Sequence, residues 1–339
     1  MGTRILVIGA GRMGSIRAED LAGLVDQVLI ANRTEQRAAN LATSVGGSTI
    51  ALDRLLEAEV DGYVLTTATS SHAGLFERLI STGKPILIEK PLALTLEDSA
   101  HTARLAAASG SSVQVGFQRR FDPEIAACER LVANGAVGTL YSMHMVAHDH
   151  EPGPLEFLAG SGGIFEDLHV HDFDLVRWIT ASEIEQAYAT RRLRVHQQYG
   201  AIEDGDASCI HLVTETGVQV AITGTRHDPV GHDVHMEVFG SLDSIAIGLG
   251  SRAPLHAMAN DAIFNLNPYR GFVDRFREAF RRETLAFVEL VQGTRANPCP
   301  PEAAIEATRV ALACELSART GRVVRIEEIS TDLDLSATR

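Results

Sequence analysis

The sequence is poor in lysine and in aromatic residues, and it contains no long apolar run. Only two of its 30 basic residues are lysine, and aromatic residues make up 5% of its 339 residues. Acidic residues outnumber basic ones by 44 to 30, and no block of basic residues offsets the net charge of −14. This balance argues against a nucleic acid or an anionic membrane surface as a partner. No apolar run approaches the ~20 residues that span a bilayer, so we expect no membrane segment.

The four cysteines are scattered and form no C-x-x-C pair. Such spacing is typical of small core residues in a reducing compartment, and it does not suggest a disulfide framework, a metal site or a catalytic thiol. The first residues enter a glycine turn directly, which predicts that no signal peptide is present. We therefore expect a cytoplasmic protein. The cysteines are Cys128, Cys209, Cys299 and Cys314.

Length and pattern predict two domains, since one domain typically takes ~100–200 residues. Up to about residue 118, short apolar runs alternate with segments of helical periodicity, which is the signature of strand–helix–strand units on a parallel sheet. After Asp122-Pro123 the pattern changes to helices and several alternating strands, which indicates a mostly antiparallel sheet. The predicted fold class is α/β. We expect a nucleotide-binding domain at 1–119, an α+β domain at 120–325 and a tail at 326–339.

The predicted elements follow from these periodicities. In the first domain, strands are expected at 4–8, 28–31, 62–66, 85–88 and 113–117, and helices at 13–24, 35–43, 72–81 and 96–108. In the second domain, strands are expected at 140–148, 209–214, 218–225 and 234–239, and helices at 124–133, 169–178, 272–292 and 301–320.

A glycine-rich motif follows the first predicted strand. Gly9, Gly11 and Gly14 form the pattern G-x-G-x-x-G, with Arg12 and Met13 between them at the start of a helix. The first glycine makes the tight turn, the second lets the backbone approach a pyrophosphate, and the third lets the helix pack on the sheet. The motif predicts dinucleotide binding. A glycine-rich turn that binds nothing is the alternative interpretation.

The end of the second predicted strand lacks the acidic residue that holds the ribose 2′-hydroxyl of NAD. The residues there are Asn32, Arg33 and Thr34. Asn32 and Thr34 can hydrogen-bond a 2′-phosphate, and Arg33 can pair with it through its guanidinium group. Arg12 and Arg37 are further candidates for this contact. We therefore predict NADP as the preferred cofactor, with NAD also possible; a solvated loop without a ligand is the alternative.

Lys90 is one of only two lysines, and it directly follows the predicted strand 85–88 in the sequence Glu89-Lys90-Pro91. Open α/β sheets bind their ligands at the carboxyl ends of the strands. During hydride transfer, negative charge develops on the oxygen of the reacting carbon, and a lysine ammonium group can stabilise that charge. We therefore predict that Lys90 is catalytic. An ordinary surface lysine is the alternative.

Asp167 and His171 lie four residues apart in a segment that is predicted to be helical. This spacing would place both side chains on one helix face. An imidazole with a pKa near 6.5 can accept a hydroxyl proton, and a carboxylate can orient the ring and stabilise its charged form. The pair is a candidate catalytic dyad. Such pairs are also common on solvated helix faces.

Several histidines raise the question of a metal site. On a helix, however, His169 and His171 point about 200° apart, because each residue advances by ~100°. We therefore expect these histidines to line a pocket or lie in the core, and we expect no metal ion. The other residues considered are His144, His148 and His150, on one face of a predicted strand, together with Asp149.

Taken together, the motifs resemble the glucose–fructose oxidoreductase/inositol dehydrogenase/rhizopine-catabolism (Gfo/Idh/MocA) family, most closely its inositol 2-dehydrogenase branch. The resemblance extends over nearly the whole chain, and the motifs occur in the family's order. They are Gly9-x-Gly11-x-x-Gly14, Thr67-x-Thr69-Ser70-Ser71-His72, Glu89-Lys90-Pro91, the segments 116–122 and 161–167, His171-Asp172-Phe173-Asp174, Gly231-His232-Asp233 and the segment 272–276.

The resemblance implies a Rossmann domain with a parallel sheet, followed by an α+β domain built on a large, open, mostly antiparallel sheet. In the family, the exposed face of that sheet commonly forms a homo-oligomer interface, so we expect a dimer or a tetramer. The implied reaction is reversible NAD(P)-dependent oxidation of a secondary alcohol on a sugar or cyclitol.

The resemblance also implies roles for individual residues. Lys90, Asp167 and His171 fall on the family's catalytic positions. By analogy, His171 takes the hydroxyl proton, Asp167 supports it, and Lys90 holds the substrate oxygen near the nicotinamide. An ammonium and an imidazole from separate domains should then converge on one carbinol carbon. The Lys90–Pro91 bond is often cis in relatives. Residues implied on the cofactor side are Thr67, His72 and Glu89.

Some positions depart from the inositol branch. The acid after the second strand is replaced by Asn32-Arg33-Thr34, and the Gly-Tyr-Asp turn reads Gly231-His232-Asp233. Because several such positions would border the substrate, the sequence predicts a sugar or cyclitol without specifying which one. Candidate substrate contacts are Arg120, His150 and His232.

The leading hypothesis is therefore an NAD(P)-dependent oxidoreductase that acts on a secondary alcohol or ketone of a sugar or cyclitol. A non-catalytic NAD(P)-binding sensor or regulator on the same fold is the first alternative. A metal-dependent hydrolase or lyase that uses the histidines is the second.

Overall fold

The computed structural model describes residues 2–254 and 267–330. The chain divides into two compact units, Met1–Phe121 with Glu278–Ile305, and Asp122–Arg277 with Glu306–Arg339. Within the described ranges, no helix combines the length and the apolar character needed to cross a bilayer. Most of the expected tail lies outside these ranges, and its first residues form a 3-10 turn at Ile326–Glu328.

The strands are β1 (Arg4–Ile8), β2 (Gln27–Ala31), β3 (Ser48–Thr49), β4 (Gly62–Leu65), β5 (Ile86–Glu89), β6 (Val113–Gly116), β7 (Leu140–His148), β8 (Ile184–Arg192), β9 (Ala207–Thr214), β10 (Gln219–Thr225), β11 (Asp233–Gly240), β12 (Ser244–Ile247) and β13 (Val324–Arg325). The helices are α1 (Arg12–Leu21), α2 (Glu35–Val45), α3 (His72–Ile80), α4 (Leu96–Ser109), α5 (Pro123–Ala133), α6 (Leu155–Leu158), α7 (Gly163–Asp167), α8 (Val170–Thr180), α9 (Phe272–Val291) and α10 (Pro301–Thr320).

The first unit contains a six-stranded sheet in the order β3-β2-β1-β4-β5-β6, and all its strand pairs are parallel. Every residue of β4, β5 and β6 is buried. Burial on both faces explains why these strands appear in the sequence as short, nearly continuous apolar runs. The strand order reverses between β1 and β4, and ligands of such folds bind at the carboxyl ends near this switch point.

The first unit also includes residues 278–305, which the sequence pattern places in the second domain. The reason is hydrophobic packing: Phe287, Val288 and Leu290 belong to the same buried cluster as Ile5 and Leu87. Both α9 and α10 contribute residues to each unit. A contiguous sequence pattern cannot reveal this kind of division.

The second unit is built on a seven-stranded sheet in the order β12-β11-β7-β10-β9-β8-β13. Only the β7–β10 pair of this sheet is parallel. Along β7, Met143 and Met145 are buried, whereas His144 between them is exposed. One sheet face therefore packs on the core and the other is open. The expected fold class, a parallel Rossmann sheet followed by a mostly antiparallel open sheet, is confirmed.

Candidate functional site

The glycine turn between β1 and α1 has open space where a dinucleotide phosphate is expected. Gly9 has a φ of +112°, and a Cβ at Gly14 would lie 1.9 Å from the carbonyl oxygen of Gly9, so both positions require glycine. A Cβ at Gly11, in contrast, would meet no atom of the described residues within 4 Å, its chain neighbours aside. Gly11 is also the N-cap of α1, with Arg12 and Met13 following. The free backbone groups of a helix N-terminus favour an anion, so this turn fits a pyrophosphate.

The loop after β2 is organised by Asn32. Its side-chain oxygen accepts a hydrogen bond from the N–H of Ala10 at 3.0 Å, and its amide donates to the carbonyl of Thr34 at 3.0 Å. Asn32 therefore ties this loop to the glycine turn, in addition to the phosphate contact that we predict for it. Arg33, Thr34 and Arg37 are exposed.

Glu89 forms a buried ion pair in the first unit. Its carboxylate lies 2.8 Å from the guanidinium group of Arg17, which also binds the carboxylate of Glu283. Burial alone would lower the pKa of Arg17, but Glu283 and Glu89 raise it well above its ordinary value. A Cβ at Gly116 would lie 2.6 Å from Oε2 of Glu89, so β6 needs glycine beside this carboxylate. The ion pair with Arg17 thus anchors Glu89, the residue that precedes Lys90.

Sequence reasoning missed Arg17 and Glu283. Both are completely buried charged residues on helices. A signal for Arg17 was its position between Ile16 and Ala18, which are also buried in α1. No sequence signal links Glu283 to a residue 266 positions earlier.

His72 connects the loop after β4 to the segment after β5. Its Nδ1 lies 3.0 Å from the carbonyl oxygen of Pro91, and its Nε2 lies 3.1 Å from that of Thr67. Burial lowers the pKa of His72, and the two carbonyls oppose this effect only in part. The neutral ring has a single N–H, so it donates to one of these two carbonyl oxygens at a time while it packs between the two segments. The Lys90–Pro91 peptide bond is cis, and Lys90 is half-buried at the carboxyl end of β5.

In the second unit, Asp167 and His171 do not lie on one continuous helix. Asp167 ends α7, and His171 lies in the first turn of α8, with Leu168 and His169 between the two helices. The spacing alone predicts a single helix across both residues, and the structure interrupts that helix after Asp167. His171 is 9% exposed.

Asp167 is held by a buried arginine that sequence reasoning missed. Oδ2 of Asp167 lies 3.1 Å from Nη1 of Arg226, and Oδ2 of Asp204 lies 3.0 Å from Nη2 of the same side chain. Arg226 is 1% exposed. Burial opposes its charge, but Asp167 and Asp204 raise its pKa. Oδ1 of Asp204 also accepts a hydrogen bond from the N–H of Ile164, so the network fixes the start of α7 as well.

His169 belongs to the core and fastens α8 to the sheet. Its Nδ1 lies 2.8 Å from Asp172, and its Nε2 lies 2.8 Å from Oγ of Ser208 in β9. A Cβ at Gly224 would lie 2.2 Å from Nε2, so the ring occupies space left by that glycine. The order Asp–His–Ser is that of a hydrolytic triad. Because His169 and Asp172 have no exposed surface and Ser208 is also buried, this arrangement positions α8 rather than attacking a substrate.

The three candidate substrate contacts differ in their surroundings. In the first unit, Nη1 of Arg120 donates to the carbonyl oxygen of Pro298. In the second unit, Nδ1 of His150 lies 3.0 Å from the carbonyl oxygen of Asp228, and Nδ1 of His232 lies 3.4 Å from Asp149. His150 and His232 thus interact with neighbouring loops of the same unit, and His232 is almost fully buried.

Comparison with known proteins defines the class. Residues 3–117 match the family model described as an oxidoreductase family with an NAD-binding Rossmann fold, and residues 125–246 match the GFO/IDH/MocA C-terminal domain. These matches define an oxidoreductase with an NAD-binding Rossmann domain, of the class that acts on CH–OH groups. The chain belongs to the GFO/IDH/MocA family.

Several relatives match over nearly their full length. Myo-inositol dehydrogenase Hyg17 of Streptomyces leeuwenhoekii is 33% identical over 324 residues, covering 94% of this chain and 98% of that protein. Myo-inositol 2-dehydrogenase of Thermotoga maritima is 29% identical and covers 96% and 99%. The crystal structure of a myo-inositol dehydrogenase from Corynebacterium glutamicum has a TM-score of 0.88 at 31% identity, covering 96% and 99%. The resemblance to the inositol dehydrogenase branch is therefore confirmed.

Proposed function

We propose that this protein transfers a hydride between a nicotinamide cofactor and a secondary alcohol or ketone of a sugar or cyclitol. The observation that carries the proposal is the position of Lys90. One of only two lysines in the chain directly follows β5 at the carboxyl edge of an NAD-binding sheet. The relatives named as inositol dehydrogenases support a cyclic polyol as the substrate class.

When bound, the cofactor accepts or supplies the hydride. In the oxidation direction, His171 takes the proton of the substrate hydroxyl as the C–H bond breaks. Lys90 holds the same oxygen and stabilises its developing negative charge, because an ammonium group can donate a hydrogen bond to it. In the reduction direction, His171 returns the proton to the carbonyl oxygen.

Asp167 stabilises the charged form of His171. Its carboxylate is already oriented by Arg226, so it needs little reorganisation when the imidazolium forms. Arg226 and Asp204 are positioning residues in this scheme, since their contacts are with Asp167 and the start of α7.

We further propose that NADP is the preferred cofactor. The three residues that directly follow β2, Asn32, Arg33 and Thr34, include no carboxylate to hold the ribose of NAD, and Arg33 and Arg37 are exposed. Their guanidinium groups would pair with the 2′-phosphate. The test compares kcat/KM for NADPH and NADH in the wild type and in Arg33→Ala. We expect the substitution to reduce the value for NADPH and leave that for NADH nearly unchanged. A clear wild-type preference for NADH would refute the assignment.

The reaction itself is tested by absorbance at the reduced-nicotinamide band. Cyclitols, aldoses and ketoses are screened with both cofactors, in both directions. We expect turnover with at least one cyclic polyol or its ketone. Cofactor binding without turnover across the whole panel would instead indicate a sensor or regulator.

A second copy of the chain is the proposed partner of the open sheet face. Tyr188 projects from this face and is 41% exposed. A dimer or tetramer by light scattering, disrupted by Tyr188→Glu, would support this arrangement; a monomer at all concentrations would exclude it.

A cytoplasmic location is also proposed, because all four cysteines are free thiols.

A further inference from the structure

A histidine and two aspartates meet at one end of the seven-stranded sheet. Their ligand atoms, one each from His148, Asp228 and Asp233, lie within 4.8 Å of one another. His148 ends β7 and Asp233 begins β11, and they stand directly opposite each other in the antiparallel ladder. Such cross-strand pairs have their Cβ atoms about 5 Å apart. Asp228 joins them from the connection between β10 and β11.

In each aspartate, one carboxylate oxygen, Oδ1, forms a hydrogen bond with a nearby residue of the same loop or strand. Oδ1 of Asp228 accepts a hydrogen bond from the N–H of Val230, and Oδ2 lies 3.5 Å from Nδ1 of His148. Oδ1 of Asp233 lies 2.7 Å from Nδ1 of His235, whereas Oδ2 has no hydrogen-bond partner among the described residues. Asp233 is only 1% exposed. A buried carboxylate oxygen without a partner is costly, and a cation would satisfy it.

We propose that His148, Asp228 and Asp233 form a binding site for a divalent transition-metal ion, with Zn²⁺ as the best match. One imidazole nitrogen and two carboxylate oxygens are ligands that zinc accepts, with water in the fourth position. The imidazole disfavours Mg²⁺ and Ca²⁺, which prefer oxygen ligands alone. The hydrogen bonds of Val230 and His235 to the two carboxylates resemble the outer contacts that orient metal ligands.

Zinc binding requires the ligand atoms to move closer together, since zinc–ligand bonds are ~2.0–2.2 Å long. The side chains of His148 and Asp228 can make this adjustment, because they are 24% and 16% exposed. The same exposure gives the ion access from solvent. Within the described part of the chain, His148 is the one member of the histidine set considered earlier that joins this cluster. Its partners come from a later segment, which explains why spacing along the sequence did not predict the site.

The ion would link the end of β7 to the chain between β10 and β11. This segment carries His232, which is a candidate substrate contact. A ligand that binds only the native state stabilises it. We therefore expect zinc to raise the Tm of the protein, independently of any cofactor or substrate.

The experiment is isothermal titration of the full-length protein with ZnCl₂, after removal of metal with EDTA and without cofactor or substrate. The variants are Asp233→Asn and His148→Gln, and the matched control is His144→Gln. His144 lies on the same strand and sheet face and pairs with Glu237 at 3.7 Å, outside the cluster. A parallel titration uses MgCl₂.

We expect one zinc ion per wild-type chain, and binding weaker by a factor of about 10–100 or more in both ligand variants. The control should bind zinc like the wild type, and Mg²⁺ should bind far more weakly. Absence of a stoichiometric zinc site in the wild type would overturn the proposal, as would unchanged binding in both ligand variants. If Asp233→Asn does not fold, His148→Gln decides. Because neither cofactor nor turnover is involved, a negative result here leaves the proposed function untouched.

Discussion

Replacing Arg17 with methionine should destabilise the protein by ~3–5 kcal/mol, the range observed when one partner of a buried ion pair is removed. Arg17 and Glu283 have no exposed side-chain surface, and the side chain of Glu89 is 11% exposed. The substitution leaves two carboxylates in the interior without their cation. It also removes a contact between the guanidinium group and the ring of Phe280, at 5.2 Å. We therefore expect the upper part of the range.

The free energy of unfolding can be measured by urea titration followed by circular dichroism. Arg282→Ala is the matched control. Arg282 forms an exposed ion pair with Glu278 on α9, the helix that also carries Glu283. Such exposed helical pairs contribute only about 0.3–0.5 kcal/mol. The double variant Arg17→Met/Glu283→Gln should be more stable than Arg17→Met, since it removes one of the two unpaired charges.

The pH dependence provides a further check. An unpaired buried carboxylate has a pKa above its unfolded value, so the protonated form is favoured in the folded state. Stability is then fully present at low pH and is lost as pH rises through the folded pKa. The deficit of Arg17→Met should accordingly be smaller at pH 5 than at pH 7. A loss below about 1 kcal/mol at pH 7, comparable with the exposed control, would refute the reasoning.

Three further substitutions test the glycine turn and the contact between His169 and Ser208. Gly11→Ala should fold normally but weaken NADPH binding by a factor of about 10 or more, whereas Gly14→Ala should destabilise the fold because its Cβ would lie 1.9 Å from the carbonyl oxygen of Gly9. Equal binding by Gly11→Ala and the wild type, measured by fluorescence titration, would contradict the assignment of this turn. Ser208→Ala should cost ~1–3 kcal/mol, since it leaves Nε2 of buried His169 without its partner. Thermal unfolding tests this, and an unchanged Tm would argue against a stabilising role of the contact between His169 and Ser208.

The architecture was largely predictable because burial dictates the patterns that define it. The strands at 62–66, 85–88 and 113–117 were expected from their apolar runs, and the structure places β4, β5 and β6 there within one or two residues. The strand predicted at 140–148 matches β7. The strands β3 and β13 have two residues each, too few to show any alternation. The strand β8 has nine residues and was not predicted either, because a register shift between Ile184 and Gln186 interrupts its alternation.

The site was less predictable, because its supporting contacts join distant parts of the sequence. Lys90 and the glycine turn were recognisable from local motifs. Arg226 was not, since only the folded sheet brings it to Asp167, 59 residues earlier. The break between α7 and α8 also had no sequence signal, as neither glycine nor proline lies between Asp167 and His171. Local motifs identify candidate catalytic groups, and tertiary structure identifies what orients them.

The most direct test of the account is the turnover of Lys90→Ala and His171→Ala with the best substrate of the screen. Cofactor affinity is measured in parallel by fluorescence titration. General acid–base assistance is worth about 10²–10⁴-fold, so each variant should lose kcat by that order while the Kd for NADPH stays close to the wild-type value. Near-normal kcat in both variants would contradict the central claim that this lysine and this histidine act on the same substrate oxygen.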